Sequence, residues 1–389
     1  GHARSLQADI KLRPLVPFLL PFFIFFSILK LWQVARKSGA EVIHAHWVLP
    51  NGLSAAIVAR LLKKPLVISL HGSDIFMSDK NAIYRAVARW VFSQASQVTA
   101  CSQELMDRAL KINPEIDVTL LAWGADPEKF KPLEDRQAQR ERMGWEEDEI
   151  IITALGRLVY KKGFHHLINF ASEFLQGQNK ARLVIGGSGP IADELQQQIE
   201  DLALADRISL SGHVPWHEVS DFLGASDIFV LPSIRDAAGN LDGLPTVLLE
   251  AMACGLPCVA SNIGGVNLVI DHQNNGFLVE PEDRQHFVTY LRQLIEKDAL
   301  RRQIGTQARS SVLQKFNWDN VARVFEALFA CAVARNMPTR LGQSYRIRYL
   351  KALGKNPGGD AILDIGCHNT QWLKEIPARS KICLDLDPS

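Results

Sequence analysis

Short apolar runs alternate with longer amphipathic stretches over most of this chain, and the two kinds of segment predict different elements. The apolar runs predict strands at residues 41–47, 65–72, 97–102, 151–158, 181–187, 207–214, 227–233 and 257–261. The amphipathic stretches predict helices at residues 52–64, 82–95, 163–176, 190–203 and 316–335. Regular alternation of strands and helices produces parallel sheets wound by helices. The sequence therefore predicts an α/β fold.

A polar, charged run at residues 134–149 separates two groups of these elements. We interpret it as a link between two doubly wound, Rossmann-like domains, residues 1–145 and 146–318. Residues 319–335 are predicted to form a helix that packs back on the first domain. Ligands of open parallel sheets bind beyond the carboxyl ends of the strands. The predicted site is thus a cleft between the strand-end loops of the two domains.

The first domain contains an uncharged run of 16 residues, 14–29, interrupted by three prolines. The run is short for a membrane span, and no cleavage site typical of a signal peptide follows it. Two interpretations remain, a core helix packed on a sheet or an interfacial helix that dips into an anionic lipid leaflet. Five phenylalanines and a net charge of +7 over residues 1–64 favour the interfacial helix, in a chain whose net charge is +1.

The composition is that of a globular chain with two domains or slightly more, since 389 residues include 47% hydrophobic and 22% charged residues. Six cysteines show neither zinc-site nor disulfide spacing, which is typical of reduced thiols in a cytoplasmic protein. No HExxH pattern is present, no metal site is predicted, and no nucleic-acid partner is predicted.

An uncharged segment, residues 243–249, lies between two carboxylates, Asp242 and Glu250. A proline suited to begin a helix and a glycine suited to end it predict a buried helix over Pro245–Cys254. The free amides of its first turn suit a phosphate. Glu250 has apolar neighbours and would need hydrogen-bond donors, which ligand hydroxyls could supply. The alternative is that Asp242 is an ordinary turn acid and Glu250 a surface residue.

Three more loops follow predicted strands. Arg157, Lys161 and Lys162 lie in a short loop before a helix, where cations suit a diphosphate, although a solvated basic loop is the alternative. Gly187 belongs to a glycine turn that lets a backbone approach a phosphate. His71 lies at a strand end beside a glycine, where a structural and a catalytic histidine are both plausible.

Taken together, residues 30–335 resemble glycosyltransferase family 4, whose members are retaining enzymes of the GT-B fold. The resemblance rests on the segments EVIHAHW, HGSD, GRLVYKKG, GGSGP, GHVP and DGLPTVLLEAMACGLPCVAS, in this order. It implies two Rossmann-like domains and transfer of a sugar from a nucleotide diphosphate sugar to a glycolipid or polysaccharide acceptor, with no cofactor and no obligatory metal. Together with the basic N-terminal run, it implies a cytoplasmic enzyme peripheral to the inner face of the cell membrane.

The resemblance also implies roles for individual residues. His71 and Asp242 would act at the reacting sugar, His71 near the anomeric carbon and Asp242 on the sugar hydroxyls. Glu250 would hold the donor ribose, because family members have two acids separated by seven residues. The other donor-binding residues would be Arg157 and Lys162 at the diphosphate, Gly187 and Thr246 near the phosphates, and Val214 near the base.

The sequence departs from the family pattern in three places. Asp242 replaces the usual Glu and is one methylene shorter. Asn267 and Leu268 stand where the family commonly has Pro and Glu. The first strand of the family and its glycine-rich loop are not found before residue 14, so the chain is predicted to lack that part.

Residues 340–389 resemble the start of an S-adenosylmethionine-dependent methyltransferase, with a strand, an Asp-x-Gly-Cys turn and a later acidic strand end. This implies a partial Rossmann-like fragment in which Asp364, Gly366 and Asp385 would bind S-adenosylmethionine, without a complete cofactor site. Two alternatives to a glycosyltransferase remain open at this point. One is a nucleotide-sugar epimerase on the same fold, and the other is a non-catalytic, membrane-associated protein that binds nucleotide sugars.

Overall fold

The computed structural model describes residues 16–72, 75–76, 81–237, 239–336, 361–365 and 380–384. Helices α1–α4 span Val16–Ser38, Asn51–Leu62, Ala82–Gln94 and Gln103–Ile112. Strands β1–β4 span Val42–His46, Leu66–Leu70, Gln97–Ala100 and Val118–Leu120. Helices α3 and α4 begin with a side-chain N-cap. Asn81 at the start of α3 and Ser102 at the start of α4 accept hydrogen bonds from backbone N–H groups of the first turn.

The later elements repeat the alternation. Helices α5–α12 span Arg136–Arg142, Phe164–Phe174, Ala192–Asp201, Val219–Gly224, Thr246–Ala253, Arg284–Glu296, Asp298–Gln314 and Trp318–Asn336. Strands β5–β12 span Ile150–Leu155, Ala181–Gly186, Ile208–Gly212, Ile228–Leu231, Cys258–Ser261, Phe277–Val279, Ala361–Ile365 and Ser380–Leu384.

The strands form two six-stranded sheets in which every described pairing is parallel. Their orders are β12-β11-β1-β2-β3-β4 and β10-β9-β8-β5-β6-β7. Strands β1–β3, β5, β6 and β8–β10 are buried along most of their length, as in sheets covered by helices on both faces. The predicted parallel α/β architecture is confirmed.

The chain divides into two compact units. The N-terminal unit comprises Gly1–Leu121 and Val321–Ser389, and the C-terminal unit comprises Ala122–Asn320. The predicted boundary was residue 145, with residues 134–149 as a link between the domains. The structure places helix α5 in that run and assigns it to the C-terminal unit.

A buried arginine explains why the charged run belongs to the C-terminal unit. Arg140 is only 2% exposed and pairs with Asp227, which also accepts a backbone bond from Ile151 at 2.7 Å. The guanidinium group also donates to the carbonyl oxygens of Ala225, Glu146, Glu147 and Glu149. A charged residue in a polar run is usually solvated, so the sequence alone did not reveal this contact.

Two strands of the C-terminal segment, β11 and β12, belong to the N-terminal sheet. Strand β11 pairs with β1 in parallel, with Asp364 opposite His44, and β12 lies on the other side of β11. Both strands therefore extend the N-terminal sheet, whereas residues 340–389 were expected to form a partial, methyltransferase-like Rossmann fragment. Gly366 and Asp385 lie outside the described residues.

Helix α1 has two contrasting faces. On one side Ser27, Leu31 and Ala35 are buried, and the Ser27 and Ser54 hydroxyl oxygens lie 2.6 Å apart, which joins α1 to α2. The other side exposes large apolar side chains, namely Phe18, Leu19, Phe22, Phe25, Phe26 and Leu29. Among the described residues, one segment, Phe18–Ser38, is long and apolar enough to cross a membrane, by length and composition only.

Candidate active site

The C-terminal sheet has one position where its connections change direction. From β5 the chain proceeds outward to β6 and β7 on one side, and then returns to place β8 on the other side of β5. The loops that follow β5 and β8 therefore separate at this point, and such topological switch points form ligand-binding crevices. The loop after β5 carries Lys161 and Lys162, and the loop after β8 carries Asp242.

These three side chains meet in the structure. The Lys161 and Lys162 Nζ atoms lie 2.8 and 2.6 Å from the two carboxylate oxygens of Asp242. Burial opposes ionisation of Asp242, but the Lys162 and Lys161 ammonium groups outweigh it and hold the pKa of Asp242 below its ordinary value. The cluster is therefore ionised at neutral pH, with two positive charges and one negative charge.

Glycines fix the two loops that carry the cluster. Gly163 has a φ of +70°, and a Cβ atom there would lie 1.8 Å from the Pro232 carbonyl oxygen. The Ile234 N–H donates to the Lys161 carbonyl oxygen at 2.9 Å, which ties the loop after β5 to the loop after β8. Gly264, with a φ of +62°, similarly lies against the Asp242 carbonyl oxygen. Only glycine tolerates these contacts, so the lysines and Asp242 are held together by backbone geometry.

Glu250 lies inside helix α9, as the sequence predicted, among the buried residues Leu248, Leu249, Ala251 and Met252. The helix starts at Thr246, with Pro245 as its N-cap and no side-chain cap bond. Burial raises the pKa of Glu250 to about 7, and the Lys129 ammonium group offsets part of that effect. Glu250 is itself half-buried, and its charge changes near neutral pH.

Glu250→Gln is expected to stabilise the protein at pH 8 by on the order of 1–3 kcal/mol and to leave its stability at pH 4 unchanged. Between the ordinary glutamate value of 4.5 and about 7, the folded protein binds more protons than the unfolded chain. Stability therefore falls as the pH rises through this window, and the amide removes that penalty. Urea unfolding at both pH values measures the effect. Exposed Glu128→Gln is the control, and an equal gain at both pH values would contradict the prediction.

The other predicted donor-binding residues of the C-terminal unit lie near the same edge of the sheet. Arg157 is exposed just after β5, and Thr246 is exposed at the start of α9. Val214 follows β7 and its side chain lies against Gly186. The Gly187 N–H already donates to the Gly212 carbonyl oxygen at 2.7 Å, so this amide is not available to a phosphate. Gly187 instead permits close packing, because a Cβ atom there would lie 1.8 Å from the Gly156 carbonyl oxygen.

His71 belongs to the N-terminal unit, at the carboxyl end of β2. Its Nε2 atom lies 2.7 Å from His46 Nδ1, and its ring also contacts Trp47. His44 is fully buried and bonds Ser69 Oγ at 2.8 Å, next to Phe325. The structure therefore places His44 in the core, whereas His46 positions the predicted catalytic histidine.

Two family models cover most of the chain. The model for glycosyltransferase family 4 matches residues 2–129, and the model for glycosyl transferases group 1 matches residues 135–311. The chain is also similar to the putative colanic acid biosynthesis glycosyltransferase WcaL of Salmonella typhimurium, with 30% identity over 302 residues that cover 76% of this chain and 72% of that protein. The chain therefore belongs to the glycosyltransferase family that these two models describe.

Two further comparisons describe the glycosyltransferase. It is 28% identical over 303 residues to an Escherichia coli UDP-Gal:α-D-GlcNAc-diphosphoundecaprenol α-1,3-galactosyltransferase, with 75% of each chain covered. Its fold is similar to the crystal structure of Anabaena HepE in complex with UDP-glucose, with a TM-score of 0.63, 23% identity and coverage of 77% of this chain and 80% of that one. The glycosyltransferase thus has the predicted GT-B fold and is an enzyme that transfers sugars.

Two residues of the site were not assigned roles from the sequence. Lys161 was recognised as a basic loop residue, but its equal share in the Asp242 cluster depends on the distance between two loops. Lys129 lies in a segment without a motif, yet its Nζ atom is 2.6 Å from the centre of the Trp216 ring and its charge acts on Glu250. No sequence signal near Lys129 could have revealed that contact. Within the described residues, no cluster of His, Cys, Asp and Glu is suited to hold a metal ion.

Proposed function

We propose that this glycosyltransferase transfers a sugar, with retention of anomeric configuration, from a nucleotide diphosphate sugar to a lipid-linked or polysaccharide acceptor. The observation that carries the proposal is the pair of lysines with Asp242 at the switch point of the C-terminal sheet. A diphosphate leaving group develops negative charge as the bond to the sugar breaks, and fixed ammonium groups stabilise that charge.

The remaining residues complete a donor site. Glu250 accepts hydrogen bonds from the ribose hydroxyls, Arg157 neutralises charge on the diphosphate, and Val214 contacts the base. The uncapped first turn of α9, at Thr246, offers free N–H groups and the positive end of the helix dipole to the phosphates. Glu250 lies in the same helix, so one rigid element presents both the amides and the acid to the nucleotide.

Incubation of the purified enzyme with UDP-, GDP- and ADP-sugars and a diphosphate-linked lipid monosaccharide in vesicles tests the proposal. A disaccharide lipid with released nucleoside diphosphate is expected with one donor class, and the proton coupling at the new anomeric carbon reports retention. Conversion of the donor sugar without acceptor would identify an epimerase instead. Binding without any turnover would identify an inert binding protein.

Donor affinity is expected to rise about tenfold between pH 6 and pH 8, because only ionised Glu250 accepts two hydroxyl bonds and its ionised fraction rises by that factor around a pKa of about 7. The charged group that acts on Glu250 is the Lys129 ammonium group. Calorimetry with the nucleotide sugar selected by the transfer assay measures the change. Glu250→Gln should bind weakly and without pH dependence, and a variant with the parent's pH profile would remove Glu250 from the site.

On the acceptor side, we propose that the enzyme lies on the inner face of the cell membrane. The exposed aromatic side chains of α1 form an apolar face that ends in Arg36 and Lys37. Helix α1 packs on α2, and α2 packs on α3. The three helices contain no Asp or Glu. Their basic residues are Lys30, Arg36, Lys37, Arg60, Arg85 and Arg89. An apolar face with only positive charge around it suits an anionic leaflet.

Replacement of Phe22 and Phe26 by serine is expected to weaken binding to phosphatidylglycerol vesicles at least about tenfold, because each buried phenylalanine contributes about 1.5–3 kcal/mol. Vesicle sedimentation measures the partition. Leu313→Ser, which alters an exposed apolar residue of the C-terminal unit, is the matched control. Equal binding to neutral phosphatidylcholine vesicles, or no loss in the double variant, would argue against this surface.

An S-adenosylmethionine site is not part of the proposed function. The strand that carries Asp364 pairs with β1 inside the N-terminal sheet and does not begin a sheet of its own. The matched family models end at residue 311 and concern sugar transfer alone.

A further inference from the structure

The Asp242 carboxylate pairs with Lys161 and Lys162, the two lysines that the proposed function assigns to the donor diphosphate. Each of its carboxylate oxygens faces one lysine, at 2.8 Å for Lys161 and 2.6 Å for Lys162. The side chains are largely withdrawn from water, with exposed fractions of 16% for Asp242, 13% for Lys162 and 28% for Lys161. Ion pairs in such surroundings are screened less by solvent and salt than pairs on the surface.

The arrangement follows from the backbone rather than from flexible side chains alone. The Lys161 carbonyl oxygen is bonded to the Ile234 N–H, and Gly163 packs directly on the Pro232 carbonyl. On the other loop, Gly264 packs on the Asp242 carbonyl, and the Gly265 N–H donates to Gly243. The carboxylate therefore stays within reach of both ammonium groups whenever the two loops keep this geometry.

A diphosphate bound to the same lysines meets this carboxylate. Two negative groups that share two ammonium groups repel each other, and at a separation of about 5 Å the repulsion in a protein corresponds to at least a tenfold change in affinity. Either the anions share the lysines at that cost, or the carboxylate gives up its ion pairs. In both cases Asp242 lowers the affinity of the site for the diphosphate group.

We propose that Asp242 is an internal competitor of the diphosphate for Lys161 and Lys162. The carboxylate releases the lysines when the donor enters, becomes available to the sugar hydroxyls, and takes the lysines back as the nucleoside diphosphate leaves. No bond is formed or broken in this exchange. The proposal rests on the proposed function, because it needs a diphosphate ligand at these lysines.

Calorimetry with inorganic pyrophosphate, UDP and GDP tests the competition. Asp242→Asn is expected to bind pyrophosphate and the matching nucleotide about tenfold more tightly than the parent, while sugar transfer falls. Stopped-flow measurement should show slower dissociation of the nucleotide from the variant, because product release loses its competitor. Asp242→Glu keeps the charge and should bind like the parent. Asp148→Asn, which removes the partner of exposed Lys180, controls for the change in net charge.

A second pair of variants separates competition from altered folding. In a Lys161→Ala background, Asp242→Asn should raise the affinity for pyrophosphate markedly less, because one of the two contested ammonium groups is gone. If Asp242→Asn does not fold, Asp242→Ser serves the same comparison, and circular dichroism checks each variant. If the parent binds a probe, and Asp242→Asn and Asp242→Ser bind it equally or more weakly, the competition is overturned and the proposed function stands. No binding of any probe by parent or variants overturns the proposed function itself and the competition with it.

Discussion

Lys162→Ala is expected to lower kcat/KM for sugar transfer about 100-fold or more, the range observed when one group that stabilises developing charge is removed. Lys162 is the more buried of the two lysines, and its ammonium group is 2.6 Å from Asp242. Its loss leaves Lys161 to neutralise both the carboxylate and the diphosphate. Because the leaving group gains charge in the transition state, kcat should fall in addition to the rise in KM.

Initial rates at saturating acceptor, with the donor concentration varied, measure this effect. Lys180→Ala is the matched control, since Lys180 also pairs with an aspartate of the same unit but is 67% exposed. Its rates should equal those of the parent. A Lys162 variant with unchanged kcat and KM would contradict the assignment of the diphosphate site.

Arg140→Ala is expected to lower the free energy of unfolding by about 3–5 kcal/mol, the cost of removing one partner of a buried ion pair. The substitution leaves Asp227 with one arginine partner, the half-exposed Arg136, at 2.5 Å. It also removes the donor for four backbone carbonyl oxygens in the Ala225 and Glu146–Glu149 segments. Carbonyl oxygens that lose this donor add to the cost of the lost charge pair.

Guanidinium chloride unfolding, followed by tryptophan fluorescence, measures the loss. The control is Arg302→Ala, whose partner Asp298 is 50% exposed and whose own side chain is 77% exposed. Exposed pairs of this kind contribute at most about 1 kcal/mol. Equal effects of the two substitutions would show that Arg140 does not anchor helix α5.

Local patterns were enough to predict the strands and the chemistry of single loops. The apolar residues around Glu250 predicted a buried helix, and the proline and glycine predicted the bounds of helix α9 to within one or two residues. These features depend on residues close in sequence. The parallel pairing also followed from local alternation, since helices between successive strands bring the strand ends to one edge.

Contacts between distant segments could not be predicted in the same way. The Asp242 cluster depends on the order in which β5 and β8 are placed in the sheet, and the sequence carries no local sign of that order. Arg140 lies in a run that resembles a solvated linker, and its burial requires Asp227 on another segment. The division of the chain after Leu121 differs from the predicted boundary at residue 145 for the same reason. The position of β11 beside β1 likewise depends on pairing across most of the chain.

The division of the chain after Leu121 has a consequence for how such genes can recombine. A crossover at codon 146 would take helix α5 from one parent and Asp227 from the other, so any mismatch at this pair would leave a buried charge without its partner. Crossovers after codons 121 and 320 would transfer the C-terminal unit with all of its internal contacts. Chimaeras built at these two junctions should therefore exchange donor preference without loss of folding, whereas chimaeras joined at codon 146 should accumulate as insoluble protein when one parent lacks Arg140 or Asp227.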